Sequence, residues 1–206
     1  MLERQACRKE LGLPADAQVV LMIARYVPSK SLDVALRAIQ LVRESRPCAR
    51  LLLIGEGNES PHYADVIAHL AAEPDINGAV RRLPFLSDIR RAFAAADVTL
   101  LCSVDEPLGR SILESMAMNV PVIVSDSGGN REIVTNGLNG LIVPPGDINA
   151  TAAAILRLID EPALRQRLIV AARAKVLTTF HPLLAARAVE EIYSTVLAKK
   201  AAIRTT

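Results

Sequence analysis

The chain has 206 residues, room for one domain or two very small ones, and 51% of them are hydrophobic. Charged residues at 22% exclude a disordered, charge-dominated chain, and 10 Gly with 12 Pro exclude collagen-like or linker-like sequence. With 24 Lys and Arg against 22 Asp and Glu, the net charge of +2 is too balanced for a nucleic-acid surface, so no nucleic-acid partner is expected.

Short apolar runs alternate with helical patterns. Val19–Ala24 reads as a strand, and Ser31–Arg46 as a helix with Leu32, Ala35, Leu36, Ile39 and Val42 on one stripe. Arg50–Ile54 is a strand, Pro61–Ala72 a helix, and Val80–Leu83 a short strand. Ser87–Ala96 is a helix, Val98–Cys102 a strand and Arg110–Met118 a helix. Val120–Val124 and Gly140–Val143 are strands, with two glycines and a short helix between them. Asp147–Ile159 is a helix with Asp147 as N-cap, followed by two closing helices over Leu164–Val176 and Leu183–Lys199. The strands are nearly continuous in apolar residues, as strands buried on both faces are. The order predicts an α/β fold in one domain over 1–206: a Rossmann-like, doubly wound sheet of about six parallel strands with helices on both faces.

Cys7, Cys48 and Cys102 are widely separated and odd in number, so no disulfide framework or zinc site is expected. No uninterrupted apolar run reaches the ~18 residues of a membrane helix, and Asp97 breaks the longest near-candidate, 92–104. The first ten residues hold no apolar signal-peptide core. A cytoplasmic location is the expectation.

Ligands of such folds bind beyond the carboxyl ends of the strands. The loop after the first strand carries Arg25 and Lys30 around a proline turn, a pair able to neutralise a diphosphate, or two solvated surface cations. It has no glycine, which excludes a dinucleotide fingerprint, and Lys30-Ser31 lacks the glycines of a P-loop. After the fourth strand, Glu106-Pro-Leu108-Gly109-Arg110 leads into a helix whose free N–H groups suit an anion. Glu106 before that helix and Glu114 inside it could hold vicinal hydroxyls, a set that suits a sugar nucleotide. The plainer reading makes Glu106 a cap and Glu114 a surface residue. Ser125–Glu132, with Gly128-Gly129, reads alone as a turn. His62 and His69 suggest no metal site. Arg81, Arg82, Arg90 and Arg91 read as a solvated face, or as a basic rim for anionic lipid headgroups.

As a set, these motifs resemble a known family. Glu106 and Glu114, seven residues apart in between, resemble the Glu-x7-Glu motif of retaining GT-B glycosyltransferases, in particular family four. The run from Glu106 to Asp147, the opening from Arg8 to Lys30, and the blocks LLLIGEGNE and VRRLPFLSDIRRAFAAADVTLLCS are similar to that family's C-terminal domain. The resemblance covers roughly residues 8 to 198. It implies that Arg25 and Lys30 bind the donor diphosphate and that Glu106 contacts the donor sugar near its anomeric carbon. Leu108, Gly109 and Arg110 would offer backbone N–H groups to the phosphates, and Glu114 would bind the ribose hydroxyls. Phe85 and Leu86 lie where the family holds the base, and Gly55 would border the nucleotide cleft. The resemblance also implies retention of configuration with no metal or other cofactor.

The sequence departs from the family at Ala24 and Ser31, where glycine is usual, and at Asn119, where a small residue is common. It also matches only the donor-binding half of a GT-B fold. The resemblance therefore implies that an acceptor-binding N-terminal domain, in the same or another chain, completes the enzyme. The last helix resembles the segment that crosses back toward that domain. The expected function is donor binding in a glycosyltransferase of cell-envelope, exopolysaccharide or glycolipid synthesis, in the cytoplasm and with peripheral contact to the inner face of the membrane as a further expectation. The alternatives are a non-catalytic donor-binding subunit, or a domain binding some other phosphorylated metabolite.

Overall fold

The computed structural model describes residues 3–204. Its strands are β1 (Gln18–Ile23), β2 (Ala49–Ile54), β3 (Val80–Leu83), β4 (Val98–Leu101), β5 (Val122–Ser125) and β6 (Leu141–Val143). All pair in parallel, in the order β3-β2-β1-β4-β5-β6. This is the doubly wound sheet expected from the apolar runs. The winding direction reverses between β1 and β4, the switch point where such sheets open a crevice for ligands.

The pleat sends alternate residues of each strand into different layers. Val20 and Met22 of β1 face one layer, while Val19 and Leu21 face the other. The first layer is covered by α2 (Leu32–Ser45), α3 (Pro61–Ala72) and α7 (Ile148–Asp160). The predicted stripe of α2 is fully buried at Leu32, Ala35, Leu36, Ile39 and Val42. Each large side chain among them contributes about 1.5–3 kcal/mol. On the other face, α1 (Arg4–Glu10) and α4 (Arg90–Ala95) cover β1 and β2, with Phe93 at the centre. There, too, α5 (Arg110–Ala117), the short α6 (Asn130–Ile133) and part of α8 (Pro162–Thr179) cover β4 and β5. Asp147 caps α7 as expected, accepting from the Ala150 N–H at 2.8 Å.

Three features differ from the sequence reading. Helix α1 has no counterpart in it. Its cause is long-range: Asp97 accepts from Arg4, from Arg8 at 2.8 Å and from the Val19 N–H at 2.7 Å. Arg8 is buried, and also donates to the carbonyls of Ala95 and Ala15. Helix α4 starts at Arg90 rather than Ser87, because the Asp88 carboxylate takes the Arg90 N–H at 3.0 Å. Side-chain hydrogen bonds from Arg90 hold that carboxyl down, at about 2. Finally, by length and composition, Pro162–Leu197 is apolar enough to cross a membrane. Within it α8 lays Leu164, Leu168 and Ala172 into the core, and the helix is interrupted between Thr179 and Pro182. Beyond that break, α9 (Pro182–Arg204) leaves every side chain from Pro182 to Leu197 exposed, including Leu183, Ile192, Tyr193 and Leu197.

Candidate functional site at the switch point

The β1 and β4 loops meet over the crevice. The Val104 N–H donates to the Ser29 carbonyl at 2.8 Å. The Lys30 ammonium donates to Glu106 Oε2 at 2.6 Å, with both side chains largely buried (18% and 9% exposed). Two residues 76 apart in sequence, each singled out from its own loop, are thus one ion pair. Lys30 closes a 3-10 turn, Pro28–Lys30, and Ser31 follows it in the left-handed region at φ 48°. That conformation explains why glycine is usual there, and costs a serine about 1 kcal/mol. Helix α2 then starts at once, its Leu32 N–H donating to the Tyr63 hydroxyl at 2.9 Å while that hydroxyl donates to Asp33 at 2.6 Å.

Arg25 points along the same edge but pairs with Glu59 from the loop after β2, both exposed. That pairing first, and Glu106 as a smaller influence, raises the guanidinium pKa. Ala24 packs in the first core layer at 9% exposure, so its methyl belongs to the core. Gly55 has φ 149°, and a Cβ there would sit 1.9 Å from the Ala24 carbonyl oxygen. Its glycine is required by the close approach of the β1 and β2 ends. Phe85 is 72% exposed, and its N–H donates to Glu56 Oε1 at 3.4 Å. Leu86 packs partly against the second layer.

Gly109 is the centre of an inverse γ-turn, φ −70° and ψ 72°, in which the Arg110 N–H donates to the Leu108 carbonyl at 2.8 Å. The Arg110 N–H, expected to face the phosphates, is engaged within this turn. The N–H groups of Leu108 and Gly109 have no backbone partner among the described residues. Glu114 lies one turn into α5, on the exposed side. Burial of its carboxyl raises the pKa, and Arg110 opposes the shift.

The loop after β5 supplies what sequence reasoning missed. Gly128 is left-handed at φ 52°, and a Cβ on it would lie 2.3 Å from the Glu106 carbonyl oxygen. The Gly129 N–H donates to that same oxygen at 2.7 Å, and the Ser127 hydroxyl accepts from the Asp105 N–H. Asp105 is itself left-handed at φ 56°. The Gly128-Gly129 turn is therefore the bed on which Glu106 lies. The glycine pair was visible as a signal, but its partner was not.

The four arginines singled out as a basic rim are mostly engaged. Arg90 pairs with Asp88, Arg91 with Glu10, and Arg81 donates to the Leu11 carbonyl. Among the described residues no cluster of three or more His, Cys, Asp or Glu could hold a metal. Cys102 is buried and its thiol pushed up to about 12, which makes it inert. A concavity of about 530 Å³ around Asn119, Arg173 and Leu177 lies at the amino edge, away from this site.

Glu114 allows a pH test. Its folded pKa is raised, so its contribution is fully present below the ordinary value of 4.5 and lost as pH rises through the raised one. Glu114→Gln is therefore expected to match the native chain at low pH. Above that window it becomes more stable, by under about 1 kcal/mol after solvent screening. Thermal melts at acid and neutral pH check the sign.

Comparison with known proteins gives the chain's relatives. The profile described as glycosyl transferases group 1 matches residues 3–175. The chain is 37% identical over 166 residues to D-inositol 3-phosphate glycosyltransferase of Thermobispora bispora, covering 77% of this chain and 39% of that protein. It is 36% identical over 161 residues to the lipopolysaccharide core biosynthesis glycosyltransferase LpsE of Rhizobium meliloti, covering 78% and 45%. Among solved structures, Anabaena Alr3699/HepE in complex with UDP-glucose superposes with a TM-score of 0.88 at 25% identity, over 93% of this chain and 52% of that one. The chain thus spans less than half the length of those two curated relatives.

Proposed function

Since the chain belongs to the group 1 glycosyltransferases, we propose that it is the donor-binding half of a retaining enzyme of GT-B architecture and that its donor is a uridine diphosphate sugar. The observation that carries this reading is the Lys30–Glu106 pair at the β1/β4 switch, beside a helix start with unpartnered N–H groups. A diphosphate placed there meets a cation and a helix N-terminus, both of which favour the charge that grows on a departing nucleotide. Glu106, next to that cation, is placed to hold hydroxyls of the sugar. Glu114 further along α5 suits the ribose, and the Phe85-Leu86 loop suits the base. The UDP-glucose held by HepE supports uridine as that base.

No step in this scheme requires a metal, because Lys30, Arg25 and the helix start supply the positive charge. The remaining length of the relatives fits an acceptor-binding half. The unpartnered apolar side chains of α9 suit contact with such a half. LpsE is named for lipopolysaccharide core biosynthesis, which supports an acceptor of the cell envelope.

Thermal unfolding with UDP, GDP and ADP, each with magnesium and with chelator, tests the reading. A ligand at about 100 times its dissociation constant stabilises by about 2.7 kcal/mol, roughly 5 to 10 °C at this size. The expected result is a shift with UDP that chelator leaves intact. No shift with any nucleotide would overturn the reading, and a shift only with magnesium would overturn its metal-free part.

A further inference from the structure

The buried side chain of Asn130 has one satisfied end and one that is not. It is fully buried, and its Nδ2 donates to the Ser125 carbonyl at 3.0 Å. A carbonyl can only accept, so this bond fixes the amide's orientation and turns Oδ1 the other way. Oδ1 has no partner. It lies 3.2 Å from the place a Cβ on Gly109 would take, against the turn that carries the unpartnered N–H groups. A buried acceptor left unsatisfied costs about 1–3 kcal/mol, and such groups persist where they serve something other than stability. Asn130 also follows Gly129, whose N–H holds the Glu106 carbonyl. One short segment thus touches both halves of the site: the loop of Glu106 and the turn of Gly109.

We propose that Asn130 is a positioning residue for the donor's diphosphate: anchored on Ser125, its carboxamide braces the Gly109 turn from behind and holds the Leu108 and Gly109 N–H groups toward the phosphates. It does not touch the donor. This inference rests on the donor-site reading above. Its consequence is selective: phosphate recognition depends on Asn130, whereas recognition of the nucleoside, assigned to Glu114 and the Phe85-Leu86 loop, does not.

Titration of UDP and of uridine by NMR, on the native chain, Asn130→Ala, Asn130→Asp and Asn130→Ser, separates these parts. For Asn130→Ala the expected result is UDP affinity about tenfold weaker, about 1.4 kcal/mol, with uridine affinity unchanged. Asn130→Asp keeps the size but has no donor for the Ser125 carbonyl and sets a negative charge behind the turn, so it is expected to lose more UDP affinity and again none for uridine. Asn130→Ser, uncharged and still able to donate, is expected to follow alanine and carries the test if the alanine variant does not fold. Equal loss of UDP and uridine would mean a merely structural residue, and no loss of either would mean no brace; both overturn the inference. If the native chain binds uridine and UDP no differently, or binds neither, the donor-site reading itself fails and this inference with it.

Discussion

Replacing Asp97 by alanine is expected to cost about 3–5 kcal/mol, because it strands a buried arginine. Asp97 takes three donors at once: Arg4, Arg8 and the Val19 N–H near the start of β1. Arg8 has a side chain only 8% exposed, and burial already lowers its pKa, with Asp97 the main opposing influence. Without that carboxylate the guanidinium keeps two carbonyl acceptors but no countercharge. At this chain length the loss corresponds to a midpoint roughly 6 to 20 °C lower. Arg4→Ala is the control. Its side chain is 46% exposed, so its pair with Asp97 is worth under about 1 kcal/mol. Equal destabilisation by the two variants would show that the buried charge is not what fixes α1.

Lys30→Ala is expected to weaken UDP binding about 100-fold, the scale of a lost charge-assisted contact. Two effects act in the same direction. The diphosphate loses a cation, and Glu106, 7% exposed, keeps its negative charge with no partner at 2.6 Å. The unliganded midpoint falls as well, so affinity is to be measured by calorimetry well below it. Arg25→Ala should lose less, about tenfold, because Arg25 is exposed and already shares its charge with Glu59. If neither substitution weakens UDP binding, the diphosphate does not sit at the switch point.

The strands and the main helices were legible because their causes are local. Leu32, Ala35, Leu36, Ile39 and Val42 write the face of α2 at helical spacing, and runs such as Val98–Leu101 write strands buried on both faces. Helix α1 was not legible, since Arg4, Arg8 and Asp97 form a set only after the chain has folded. The pairing of Arg90 with Asp88 and of Arg91 with Glu10 was hidden as well, because in a linear count these arginines look free. At the site, the residue types in the β1 and β4 loops were legible, and the family resemblance gave them roles. The Lys30–Glu106 contact was not, nor the dependence of Glu106 on Gly128 and Gly129. Asn130 was invisible because an unpartnered acceptor is a property of three-dimensional surroundings, and asparagine in a turn is ordinary.

A crystal structure of the chain with UDP shows directly where the diphosphate lies. The diphosphate is expected between Lys30 and the N–H groups of Leu108 and Gly109, with the ribose hydroxyls on Glu114. A diphosphate bound away from the β1/β4 crevice, or a ribose that leaves Glu114 without a contact, would contradict that placement.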